Sequence, residues 1–375
     1  MAQWSHTDLS QAATAPAGAS QLFGDLSRPM GCVRFNRTNV VLFTGNDGHI
    51  HQLHLSGATW VHSDLSALGG APDSKSRTSP MVCVRPDGVL SVAYTAQDQH
   101  IHALQIKDGT VTHADLNALA PGAPKVVPIG PPTHLVRGDG VVIVAYIDAS
   151  GGLDAPHCAV NQLSLNAGTW VRSNLSQLAQ SPIDGRAMTT GYVKPDQTTA
   201  LLYVSPPALK ELALAPGGTW TSTNLLSCSQ APPPSFIRWL TGFVRSDGIA
   251  SVVYADTQNF LHELAFVGGR WLATALSETA KAPPVSTVAP QSGGGGPTGY
   301  VRGDGVTAVV YCGSDNHIHE RALIAGQWVH TDLSLAANST TTFGYPFAYV
   351  RSDRVSSVIY QGADTHIHEL TLPSH

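Results

Sequence analysis

The stretch Val309-Val310-Tyr311-Cys312-Gly313-Ser314-Asp315-Asn316-His317-Ile318-His319-Glu320 carries the pattern from which the fold is read. Val-Val-Tyr is a β-branched and aromatic run of strand type. Gly-Ser-Asp-Asn is turn chemistry, and His-Ile-His-Glu starts a second strand. A second copy runs from Ser357 to Leu370. Upstream of each copy lies a Val-Arg-x-Asp-Gly motif, its glycine replaced by Arg354 in the last, and the basic residue recurs seven times: Arg34, Arg85, Arg137, Lys194, Arg245, Arg302 and Arg351. Downstream lies Trp-x-His-x-Asp-Leu-Ser, starting at Trp4, Trp60, Val111, Trp170, Trp220, Trp271 and Trp328, with some copies degenerate. Self-similarity at a period near 50 residues is the mark of a repeat architecture.

Each unit reads as four short strands. Gly-Tyr-Val-Arg is the first, and the Asp-Gly after it favours a tight hairpin. Val-Val-Tyr, His-Ile-His-Glu-Leu and Trp-x-His-x-Asp-Leu are the second, third and fourth. No segment shows helical periodicity with caps. Four-stranded units at this period predict an all-β, seven-bladed β-propeller in one domain over 1–375. The blades fall at about 31–66, 81–117, 133–176, 190–226, 241–277, 298–334 and 347–372 with 4–10. The chain starts with a lone fourth strand and stops after a lone third strand. The N-terminal strand is therefore expected to pair with the last blade and close the ring.

Charge and composition exclude several classes. Of 375 residues only 13% are charged and the net charge is −5, so no basic excess exists to displace counterions from a nucleic acid. No apolar run reaches the length of a membrane helix. Five cysteines without a Cys-x-x-Cys read as small packing residues rather than a disulfide framework. Met1-Ala2-Gln3 runs straight into the first repeat motif, with no basic and apolar leader. The expected location is the cytoplasm, or outside the cell by release without a signal peptide.

The seven copies separate constant from variable positions. The basic residue and the tryptophan persist in damaged units, so the first reads as an ion pair or carbonyl clamp and the second as inter-blade packing. Four units keep a complete set: Asp47/His49/His51, Asp98/His100/His102, Asp315/His317/His319 and Asp364/His366/His368. These read as hydrogen-bonded clusters tying strands together. His-x-His on a strand can hold zinc or iron given a third ligand, but no single unit supplies a distinctive one, so no metal and no cofactor are expected. Units 3, 4 and 5 are irregular, with Asp154, His157, Lys210, Arg238 and Trp239 among their unique residues. There is no Gly-x-Ser-x-Gly, no phosphate loop and no identifiable catalytic set.

From Val358 to Glu369 the chain resembles the fungal fucose-specific lectins, and more loosely the seven-bladed bacterial lectins of the same build. The resemblance implies carbohydrate binding at several weak sites between blades. In those lectins a glutamate, an arginine twelve residues before it and a nearby aromatic hold the sugar. Carried over, the glutamate falls on Glu263, Glu320 and Glu369, with Gln52 in blade 1 and Ala103 in blade 2. The arginine position falls on Ser251, Ala308 and Ser357, so arginine is absent at that offset. The expected ligand-binding set is Gln52, His51, His102, Glu263, His319, Glu320, His368, Glu369, Trp60 and Trp328. Fungal enzymes that resemble these lectins catalyse hetero-Diels–Alder cyclisations. A small-molecule enzyme with one pocket is therefore a second expectation, and a protein-interaction scaffold a third. The expected partner is a glycan or small molecule, without nucleic acid or membrane, and homo-oligomerisation is left open.

Overall fold

The computed structural model describes residues 3–19, 28–74, 79–126, 130–148, 158–181, 183, 189–235, 240–277, 282–286, 296–342 and 344–374. Its strands form seven four-stranded antiparallel sheets. Blade 1 is Met30–Val33, Asn39–Thr44, Ile50–Ser56 and Thr59–Asp64. Blades 2 to 6 repeat this order in sequence. Blade 7 takes Phe347–Val350, Ser356–Gln361 and Ile367–Leu372 from the C-terminus and Ser5–Asp8 from the N-terminus as its outer strand. His6 pairs with Leu370 and Asp8 with His368 in that closing ladder. The first strands neighbour one another around a full circle, blade 7 meeting blade 1. The fold is thus the expected seven-bladed propeller, with the ring closed by the N-terminal strand.

Blades pack face to face through apolar clusters shared between neighbours. Tyr192 and Leu202 of blade 4, for example, bury with Tyr254 and Trp271 of blade 5. The Gly-Tyr-Val pattern has a steric cause. A Cβ at Gly31 would lie 2.3 Å from the Tyr349 ring, and one at Gly242 2.2 Å from Tyr192. The aromatic of one blade rests on the bare backbone of the next.

One expectation is corrected. Among the described residues six short helices follow the fourth strands, such as Leu9–Ala13, Leu65–Gly69 and Leu333–Ala336. The Asp or Asn of Trp-x-His-x-Asp/Asn is their N-cap; Asp64, for instance, accepts from the Ala67 amide at 2.9 Å. At four or five residues these helices are about one turn long, too short to display a 3.6-residue period. The leucine after the cap is buried, and Ser66 Oγ accepts from the Ile50 amide at 2.9 Å, so each motif residue has a structural duty. Among the described residues no helix is long and apolar enough to cross a membrane.

Candidate functional site

Alternation along the third strand sends neighbouring residues to opposite faces of a blade. This separates the histidines from the acids. In blade 1 an acceptor-only carboxylate, Asp47, lies 3.0 Å from His51 Nε2, so that nitrogen carries the proton. His51 Nδ1 is then an acceptor, and His62 Nε2 of the fourth strand donates to it at 3.0 Å. His49 Nδ1 donates to Asp64, the helix cap, at 2.7 Å. Blades 2, 6 and 7 repeat the arrangement, with His102 on His113 at 2.8 Å, His319 on His330 at 3.0 Å and His368 on His6 at 3.0 Å. His51, His102, His319 and His368 are all buried in these clusters.

The fourth strand therefore supplies what a single His-x-His segment lacks. Among the described residues, Asp98, His100, His102 and Asp115 place donor atoms within 4.8 Å of one another, and three smaller groups do so in blades 1, 6 and 7. The signal was present in Trp-x-His-x-Asp, whose His and Asp accompany the His-x-His set. A cation there would have to replace the protons shared along the His–His and His–Asp contacts. Burial pushes the Asp47 carboxyl up, but hydrogen bonds from His51 and the His49 amide hold it below the usual carboxylate range. Burial, then His51, depresses His62, whereas the bond to Asp64 raises His49.

The acids face the other way, toward the clefts between blades. Glu369 is 1% exposed. It accepts from Ser357 Oγ at 2.6 Å, and its second oxygen lies 3.7 Å from Arg351 Nη1. Glu320 accepts from Tyr300 at 3.0 Å and pairs with Arg302 at 3.3 Å; Glu263 pairs with Arg245 at 3.3 Å. Burial raises the Glu369 and Glu320 carboxyls, opposed by those hydroxyls and guanidinium groups.

Arginine therefore does reach the acid, from a different strand than the twelve-residue offset implies. It stands 18 residues before Glu263, Glu320 and Gln52. In blade 4, Lys194 stands 17 before Glu211, bonding it at 2.8 Å. This constant spacing was the available signal for Arg245, Arg302, Arg351, Lys194 and Glu211.

The aromatic comes from the next blade. Arg351 and Glu369 of blade 7 line one cleft of about 470 Å³ together with Trp60 and Thr59 of blade 1. Trp60 is 7% exposed. Lys194 of blade 4 lies 5.5 Å from the Trp271 ring centre of blade 5, and Phe266 stands beside it at 5.6 Å. Trp328 packs at the blade 5/6 interface and Trp4 at the blade 6/7 interface. Four interfaces thus carry base, third-strand acid and tryptophan, namely 4/5, 5/6, 6/7 and 7/1, while at 3/4 a cleft of about 610 Å³ is lined by Arg137, the turn acid Asp139 and Trp220. The remaining three lack the third-strand acid, with Gln52, Ala103 and Gln162 at its position. Of the irregular-side residues, Asp154, His157, Arg238 and Trp239 lie outside the described residues. Lys210 donates to Ser181 at 3.3 Å.

No protein-family model matches the sequence, and no curated protein matches it either. Solved structures do. The BP39L lectin from Burkholderia pseudomallei superposes with a TM-score of 0.68 at 14% identity, covering 92% of this chain and 95% of that one. The fucose-specific lectin from Aleuria aurantia gives 0.55 at 12%, covering 84% and 96%. The SapL1 lectin in complex with α-methyl fucoside gives 0.51 at 14%, covering 87% and 98%. The chain has the fucose-lectin-like propeller fold. Identities this low carry fold rather than activity.

Proposed function

We propose that the protein is a carbohydrate-binding propeller of lectin type that takes one saccharide in each of several clefts between blades. The observation that carries this reading is the convergence of Arg351, Glu369 and Trp60, from two blades, on one solvent-reached cleft. A carboxylate accepts from two adjacent sugar hydroxyls, a guanidinium donates to ring and hydroxyl oxygens, and an indole covers the apolar C–H face. Glu263 with Trp328 and Glu320 with Trp4 repeat the set at neighbouring interfaces, and Gln52 marks a variant of it. His319 and His368 work from behind, holding the third strands that present Glu320 and Glu369, and His51 and His102 hold the equivalent strands of blades 1 and 2. Each cleft is expected to bind weakly, and several on one ring supply avidity. The names of the Aleuria aurantia lectin and of the SapL1 complex make a fucoside the first ligand to test.

Titration calorimetry of the full chain against methyl fucoside and a monosaccharide panel tests this. Glu369→Gln is expected to remove one site per chain with a stability change of about 1 kcal/mol or less. If the variant instead melts lower with unchanged stoichiometry, the glutamate serves only Arg351. If no sugar in the panel binds the wild type at millimolar concentration, the reading fails.

A further inference from the structure

The cleft between blades 1 and 2 differs from the others in charge. It measures about 570 Å³ and is lined by Arg34, Gln52, His54, Ser56 and Ser63 of blade 1 and by Gly109 and Val111 of blade 2, among others. Among the described residues no carboxylate lines it. In every other blade the equivalent basic residue has an acid partner. Arg85 meets Asp87 at 2.5 Å, Arg245 meets Asp247 at 2.6 Å and Arg351 meets Asp353 at 3.0 Å. Arg137 pairs with Asp139, Arg302 with Asp304, and Lys194 with Glu211.

In blade 1 both acid positions carry the corresponding amide. Asn36 replaces the turn aspartate and still accepts from the Thr38 amide at 3.2 Å, the turn-holding bond that Asp87 makes to Val89. Gln52 replaces the strand glutamate and still accepts from Arg34 Nη2. The turn bond and the Arg34–Gln52 bond are kept, and two negative charges are gone. Arg34 is half-buried, and burial rather than any carboxylate dominates its titration. His54 beside it adds a second nitrogen base, depressed by burial and then by Arg34. A half-buried guanidinium without a counter-charge is unfavourable, and an anion at the cleft would relieve it through a charge-assisted, two-pronged contact.

We propose that this cleft is an anion-selective subsite that takes the carboxylate of an acidic saccharide of the uronic acid class. The inference rests on the carbohydrate-binding reading for the saccharide part, since the volume far exceeds one carboxylate and the serine and threonine hydroxyls suit sugar hydroxyls. The carboxylate would sit against Arg34, with Asn36 and His54 beside it. The missing tryptophan, Val111 here, removes the indole that a neutral sugar would use. Affinity at this subsite falls with rising salt.

The probes are methyl glucuronide, methyl glucoside and sodium acetate, titrated into the full chain at low salt. Methyl glucuronide is expected to bind at one site per chain, about tenfold or more tighter than methyl glucoside. Asn36→Asp and Gln52→Glu restore residues that the other blades already carry, so each is expected to fold. Each should weaken glucuronide, and the double variant should weaken it about tenfold or more. Equal binding of glucuronide and glucoside, or no response to either substitution, overturns the proposal. Acetate binding as tightly as glucuronide overturns the saccharide part. Fucoside titration at the other clefts runs alongside. Neutral binding there without glucuronide binding sinks this inference alone. Glucuronide binding at Arg34 with no neutral sugar anywhere sinks the general reading and leaves the anion cleft.

Discussion

In blade 1 the space between the third and fourth strands and the turn is filled by Asp47, His49, His51, His62 and Asp64. In blade 3 the same space holds Arg172 donating to Asn161 at 3.0 Å, and Asn161 donating to Asp148 at 3.0 Å. Blade 4 uses Lys210, Ser222 and Ser181; blade 5 uses His262 on Asp256 at 2.9 Å. Different side chains satisfy the same buried polar gap, as a closed interior requires. The acid of the clefts follows another rule. Blades 1 and 2 have full histidine clusters and no acid, whereas blades 4 and 5 have the acid and no full cluster. Two features that vary independently around one ring do different jobs. The clusters bond one strand to the next, and the proposed ligand role belongs to the cleft acids.

Breaking the regular half at its seam gives the largest expected effect. Deleting residues 1–10 removes the closing ladder, the buried Trp4, the Asp8–His366 bond and the Ser10–Ile367 bond. Loss of the tryptophan burial alone is worth about 3–5 kcal/mol. Calorimetry should show a melting point far below the full chain; equal melting curves would mean that the strand does not close the ring.

Acidification is the next smaller probe, and most of the histidines it reaches lie in the regular half. His6, His62, His113 and His330 are all depressed, first by burial and then by a partner histidine. The folded state therefore takes up their protons less readily than the unfolded chain. Their contribution is complete above the unfolded value near 6.5 and is lost as pH falls below it. His49 and His366 are raised by bonds to Asp64 and Asp8, so they oppose this, being strongest at low pH and lost as pH rises through their folded values. With His54 and His134 also depressed by burial, His134 to about 4, six depressed groups against two raised ones predict a net fall in melting temperature between pH 7.5 and 5.5. Replacing His62 and His113 with glutamine should flatten the slope. An unchanged slope would show that these histidines do not couple to folding.

The smallest effect is expected from chelator. With the ring nitrogens engaged by His62, Asp47 and their equivalents, the clusters hold without a metal, and chelator should leave the melting curve where it is. A chelator-induced shift of several degrees, with metal recovered from the protein, would assign the clusters to an ion instead.

The fold was legible because the same three motifs return seven times, and the chain ends mid-blade at both termini. The capped turns were not. Asp64-Leu65-Ser66 looks like a strand end, and one turn of helix leaves no periodicity to read. The cleft was half legible. Glu320 and Glu369 could be placed by resemblance, but their arginines arrive from the first strand, so a fixed twelve-residue offset lands on Ala308 and Ser357. Trp4 was placed in the last blade by the sequence, but its partner acid, Glu320, lies in the blade before, so the blade 6/7 pairing was not read. Sequence order and neighbourhood differ most at the seam of a closed ring.

The central claim, that acid and tryptophan rather than histidine define the ligand clefts, is tested by counting sites. Methyl fucoside titrated into the full chain should report four neutral-sugar sites, one for each base–acid–tryptophan interface. Glu211→Gln and Glu369→Gln should each remove one, and His319→Gln should remove none while lowering the melting temperature. Seven equal sites, or loss of binding on His319→Gln with both glutamate variants unchanged, would contradict the account.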